Sequence, residues 1–223
     1  MLSQAFSRAP MASPTDRLRL TQWLSPAFPI GSFAYSQGLE TAITTGQIKT
    51  QTDLAAWITA ILTHGSGRAD AILLAHARKP DADLGALSDT ALALAPSAER
   101  VTEMMEQGRA FAATLSAITP HRHPARPYAV TVGEATARLD LPTAEVLALW
   151  LHALAAQLTS AAVRFIPLGQ TQGQQTLAGL APLIAALAET YATLPLSALT
   201  STSLGADIAA MAHETMPVRI FRT

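Results

Sequence analysis

The sequence has no cysteine. That excludes a disulfide framework, a thiolate metal site and a cysteine nucleophile, and it fits a cytoplasmic protein. Charge is scarce too: 14% of the 223 residues are Asp, Glu, Lys or Arg, against 49% hydrophobic. So small a charged fraction suits a chain that hides surface against a partner or in an oligomer; Ala-rich helices with small side chains would give the same count. Neither sign prevails. Fifteen Lys and Arg stand against 16 Asp and Glu, for a net charge of −1, so no global field favours nucleic acid. The most membrane-like stretch, Val146 to Phe165, is interrupted by His152, Gln157, Thr159, Ser160 and Arg164. It reads as a buried helix rather than a membrane span, with His152 as a core histidine. Residues 1–15 contain no acid and no apolar segment of signal-peptide length, and are expected to form a mobile tail.

What the sequence does have is an unusual interruption at Ser25–Glu40, SPAFPIGSFAYSQGLE. Pro26 and Pro29 forbid a continuous helix, and Gly31-Ser32 follows before a helical pattern resumes near Phe33. A break that only had to turn needs Gly, Asn and Ser, yet this one carries Phe28, Phe33 and Tyr35. Two roles fit such aromatics: pinning the break onto the core, or meeting a partner.

Elsewhere the periodicity is helical. Thr50-Gln-Thr-Asp53 has the form of a capping box, and Leu54, Trp57, Ile58, Ile61 and Leu62 then mark one apolar stripe with Trp57 at its centre. Residues 68–78 and, more weakly, 81–95 read as further helices. Ser97 is placed to cap a helix carrying Val101, Met104, Phe111 and Leu115. Tyr128 to Val132 is β-like locally, but one strand has nothing to pair with, so it is assigned to helix. Pro142 suits a first turn. Pro182 is expected to split the last apolar region into two helices, and Ser201-Thr-Ser203 to cap a final one. The reading is a single all-α, bundle-like domain of roughly ten helices over residues 16–223, ending in a tail at 216–223.

Catalytic candidates are weak. Gly65-Ser-Gly67 lacks the Lys and the spacing of a phosphate loop. His121 and His123 offer two ligands where a metal site usually wants more, with Arg122 repelling a cation between them. His213-Glu214 has acid/base chemistry but points its side chains in different directions. A helical enzyme using those two residues is the alternative function. The glutamines at 170, 172, 174 and 175 can cap a helix start or contact a partner, and cannot move protons.

Three stretches, SPAFPIGSFAYSQGLE (25–40), SAAVRFIPLGQTQGQ (160–174) and DIAAMAHETMPVRIFRT (207–223), closely resemble the UreF family of urease accessory proteins. Residues 57–74 and 104–115 resemble its middle motifs, in the same order. The resemblance implies an all-helical protein with no activity, cofactor or metal site of its own, acting in the cytoplasm and off membranes and nucleic acid. It implies the partners UreD, the GTPase UreG and apo-urease, in a complex that inserts nickel, with the chain as a homodimer bridging UreD and UreG and regulating GTP hydrolysis. It also implies partner-binding roles for Phe33 and Tyr35 in the break and for Arg219, Phe221 and Arg222 in the tail, with the tail lying near the break; Gln170 and Gln174 of the glutamine cluster are further partner-binding candidates. Many members carry Gln-Tyr-Ser where this chain has Met216-Pro217-Val218.

Overall fold

The structure, a computed structural model, describes residues 13–223. Among them lie ten α-helices, two short 3-10 turns and no strand, an all-α domain. Ser13 caps α1 (Pro14–Trp23), which starts with proline, the residue whose missing N–H costs nothing there. Helical structure therefore begins before residue 16, and the rest of the expected N-terminal tail, residues 1–12, lies outside the described residues. After the break come α2 (Leu39–Thr44) and α3 (Gln51–Thr63). Thr50 and Asp53 close the capping box across the start of α3, each side chain bonding the other's backbone N–H. Gly65 then separates α3 from α4 (Ser66–Ala77), and α5 (Leu84–Ala93) follows.

Ser97 accepts from the N–H of Arg100 at the start of α6 (Ala98–Ile118), as its position suggests. The β-like run at 128–132 is helical, as α7 (Tyr128–Thr136), and is buried between α4 and α6. Tertiary packing there overrides local propensity. Next are α8 (Thr143–Val163) and α9 (Gln170–Tyr191), packed along each other, and finally α10 (Leu204–His213) against α2.

Most of the core is one cluster, with Leu54, Ile58, Ile61 and Leu62 of α3, Phe111 and Leu115 of α6, and Val146, Leu147, Leu151 and Leu158 of α8. A smaller cluster lies under α5 around Leu87, Ala91 and Met104. Of the described helices, α8 is long and apolar enough to cross a membrane.

Three expectations need correcting. Pro182 does not divide a helix, because α9 runs through it. Pro182 and Ala178, whose carbonyl loses its N–H partner, are both exposed, so water can serve that carbonyl. His152 is exposed, not in the core: it lies on the outer face of α8 near Leu149, three residues earlier. Trp57 is only partly buried, at the margin of its stripe, with Gly205 close to its ring.

Candidate functional site

The sequence 25–40 makes a turn that no regular element could. Gly31, Gln37 and Gly38 all have positive φ, at 73°, 53° and 78°. Gly38 is required for a second reason: a Cβ there would stand 2.7 Å from the backbone N of Ala210, so only glycine lets α10 approach α2. The two phenylalanines divide the roles between them. Phe28 is buried against Phe111, their ring centroids 5.3 Å apart. Phe33 is 71% exposed.

The segment after α10 folds back onto this break. Arg222 N–H donates to the Ala34 carbonyl at 2.7 Å, and Ser36 N–H to the Thr223 carbonyl at 3.0 Å. Glu40 accepts the N–H groups of Ile220 and Phe221, both at 2.9 Å. Burial alone would raise the Glu40 pKa, but these bonds and the His213 ring outweigh it and hold the carboxyl below its usual range. Arg222 makes a forked pair with Glu106 at 2.6 and 3.2 Å. The Tyr35 hydroxyl donates to the same carboxylate at 2.6 Å. That hydroxyl's pKa is pushed up, by burial first and then by Glu106, while the Tyr35 bond and Arg222 lower that of Glu106.

Phe221 is buried. It packs on Phe165 at 5.2 Å between centroids, with the Arg164 guanidinium 4.6 Å above its ring. Arg164 also donates to the Phe33 carbonyl at 3.0 Å, tying α8 to the break. The Met216 sulfur accepts from the Thr41 hydroxyl at 3.1 Å.

Among the sequence-derived site residues the structure thus joins five, Phe33, Tyr35, Arg219, Phe221 and Arg222, around one break-and-tail surface. They do not share one role. Tyr35 and Phe221 are buried within the chain. Phe33, Arg219 and Arg222 are exposed, as are Val218 at 75% and Ile220 at 72%. Gln170 and Gln174 are exposed at the start of α9, where the cap itself is made by Gln172, accepting from Gly169 N–H at 2.9 Å.

Beneath Phe33 and Gln174 is a cavity of about 290 Å³. Leu24, Tyr128 and Trp150 form part of its wall, and Arg100, Glu103 and Gln107 of α6 supply polar groups. Arg100 is buried and pairs with Asp70 and, at 2.9 Å, with Glu103. Burial works against its charge, but the two carboxylates outweigh that and raise its pKa. Burial raises the pKa of Asp70 despite Arg100. Glu103 also accepts from Gln37 and Gln107, at 3.1 and 3.2 Å. Sequence reading missed this network: Arg100, Glu103 and Gln107 share α6, but Asp70 and Gln37 reach it from 30 and 66 residues away.

The proposed acid/base pair is not one. Glu214 turns to the backbone N–H groups of Ala98 and Glu99 at the start of α6, at 2.7 and 3.2 Å. His213 is completely buried. His123 is buried, and its pKa is lowered by that burial, while His121 is exposed. No group of three or more His, Cys, Asp or Glu placed to hold a metal occurs among the described residues.

Comparison with known proteins agrees with the sequence motifs. The family model of UreF matches residues 48–181. A urease accessory protein UreF of Cereibacter sphaeroides is 59% identical over 206 residues, covering 92% of this chain and 98% of the relative. That of Dinoroseobacter shibae is 50% identical, with 93% and 98% covered, and that of Paracoccus denitrificans 49%, with 93% and 96%.

Proposed function

From the premise that the chain belongs to the UreF family, with a role in urease maturation as an accessory protein rather than an enzyme, we propose that it bridges UreD and the GTPase UreG. The complex so formed acts on apo-urease in the cytoplasm and inserts nickel, with the chain as a homodimer that regulates GTP hydrolysis by UreG. The observation that supports the reading best is the break-and-tail surface. Phe33, Val218 and Ile220 project there at more than two-thirds exposure. They are flanked by Arg219 and Arg222, the residue type that serves interfaces best. Large apolar side chains so exposed and rimmed by arginines mark a surface that a partner covers.

The surface is assigned to UreD. The test is co-elution of the purified chain with UreD and with UreG, with and without residues 216–223. The truncated chain is expected to keep its helical circular dichroism, because the core clusters, Phe221 apart, lie between Leu20 and Ala206, and to lose UreD. Full-strength binding of UreD by the folded, truncated chain would overturn the assignment. Failure of the full-length chain to bind either partner would overturn the bridging function.

A further inference from the structure

Two ionic clusters inside the chain differ in how full they are. In one, Glu40 and Glu99 face the His213 ring at 3.0 and 2.7 Å, and the Ile220 and Phe221 amides and Arg219 take their remaining contacts. Every carboxylate oxygen of that cluster is engaged. In the other, Arg100 faces both Asp70 and Glu103, while Gln37 and Gln107 both donate to Glu103 Oε1. Glu103 Oε2 is buried without a hydrogen bond among the described residues; Arg100 Nη1 is 2.9 Å away but is not aligned to donate. Two carboxylates share one guanidinium, so this cluster carries one negative charge in excess. Burial raises the pKa of Asp70 despite Arg100, and the Glu103 charge adds to the rise. Folded chains normally pair such charges and satisfy such oxygens.

The unfilled cluster forms the polar side of the cavity beneath Phe33 and Gln174, and Leu24, Tyr128, Trp150 and Leu154 make the opposite wall apolar and aromatic. At about 290 Å³ the cavity is at the small end of ligand pockets, room for one side chain rather than for a nucleotide or a large cofactor. Its chemistry suits a cation with N–H donors on a short apolar stem. A guanidinium fits better than an ammonium, because its planar fork matches a carboxylate, it stacks on aromatic faces and it is more weakly hydrated. An anion would meet the excess negative charge. Arg164 at the mouth does not supply the missing positive one. Its guanidinium donates to the Phe33 and Ser160 carbonyls and lies over the Phe221 ring, on an exposed side chain where water and salt screen it.

Given a protein docked on the break-and-tail surface, as inferred above, we propose that this cavity is its anchor pocket and receives one of its arginine side chains, whose guanidinium completes the Asp70–Arg100–Glu103 cluster. Continuity favours a protein side chain over a free amine. Phe33 and Arg164 line the mouth of the cavity and also belong to the break-and-tail surface, so a protein covering that surface closes the cavity. An arginine sealed in a pocket away from water is the kind of contact that dominates the affinity of an interface.

The test has two arms. In the first, the full chain is titrated with n-propylguanidinium and with its neutral isostere n-propylurea, and NMR follows the Trp150 indole N–H and the Gln107 side-chain amide. The guanidinium should shift both signals saturably, with the roughly millimolar affinity of so small a ligand. The urea should bind about tenfold more weakly or not at all, as for a lost hydrogen bond between charged groups. Glu103→Gln removes the excess charge at nearly constant volume, and Ala153→Leu fills the cavity while leaving the charges; each should abolish the shifts. In the second arm, both variants should bind UreD about tenfold or more weakly with their helical circular dichroism retained, and UreD bound to the unaltered chain should block n-propylguanidinium. Equal binding of the urea, or guanidinium shifts unchanged in both variants, would overturn the cation site. Guanidinium binding that persists in the UreD complex, with both folded variants holding UreD at full strength, would overturn the anchor role and leave the docking itself intact. Failure of the unaltered chain to bind UreD would overturn the docking and the anchor role with it, while the first arm still decides the guanidinium site. Because the two small ligands are compared on the unaltered chain, a poorly folded variant does not remove the test.

Discussion

Phe28 and Phe33 are five residues apart in one irregular segment, and their surroundings are opposite. Phe28 faces Phe111 in the core, while Phe33 faces out. Nothing in the sequence distinguishes them, because orientation is legible only where a period of 3.6 or 2 repeats it, and the prolines and positive-φ residues here remove both. The same holds for Phe221, whose place in a short tail suggests exposure and whose ring is buried over Phe165. The distinction can be tested with two substitutions. Phe33→Ala should change stability by no more than about 0.5 kcal/mol, as at other surface positions. It should nevertheless weaken UreD binding by about 2 kcal/mol or more if Phe33 anchors the interface. Phe221→Ala removes a buried ring, a loss of about 3–5 kcal/mol in packed cores. It should release the tail, seen as lost protection of the Ile220 amide, with the helical signal retained. Equal binding by wild type and Phe33→Ala would remove Phe33 from the site.

Among elements, the boundaries were legible where one side chain makes the local bond. The Thr50–Asp53 box and the Ser97 cap sit where their spacing places them, since N-caps need only residues three apart. Pro182 was misleading because a proline's cost depends on whether water can reach the carbonyl it strips, and burial is not written in a local pattern. The packing of α10 on α2 was likewise invisible. It depends on Gly38 meeting Ala206 and Ala210, more than 160 residues away. Gly38→Ala should therefore do more than strain a positive φ. Its Cβ would force apart two backbones, where nothing flexible can yield, and should destabilise by more than the roughly 1 kcal/mol of an ordinary glycine-to-alanine mismatch. A melting temperature within a degree of wild type would show that α10 shifts freely and that the contact is not a constraint.

At the scale of the whole molecule, the all-α class followed from helical stripes throughout the chain, whereas the site's assembly did not. Glu40, Glu99 and His213 come from three distant elements, and one sequence carries no record of which acid meets which base. Their union gives the molecule a pH dependence on the acid side. The Glu40 pKa is lowered in the folded chain, so its contribution is complete above the unfolded value, near 4.3 for Glu, and is lost as pH falls through the lower folded value. Glu106, lowered by Tyr35 and Arg222, acts in the same direction. Hydrogen exchange should thus show the Ile220 and Phe221 amides freed at acid pH before the helical circular dichroism is lost. Tail and helices lost together, at one midpoint, would mean that the tail is not a separately held unit.

The hydrogen bond from Ser36 to Thr223 spans 187 positions of sequence. A growing polypeptide must therefore make α2 long before it makes the segment that completes α2's surroundings. Until residues 219–223 have been synthesised, Glu40 lacks its backbone donors, and the Ala34 carbonyl lacks the N–H that Arg222 brings to it. A nascent or prematurely ended chain can assemble much of the helical core and still lack the composite surface. A partner that recognises break and tail together would then sort molecules that carry residues 219–223 from those that do not, with no separate inspection step.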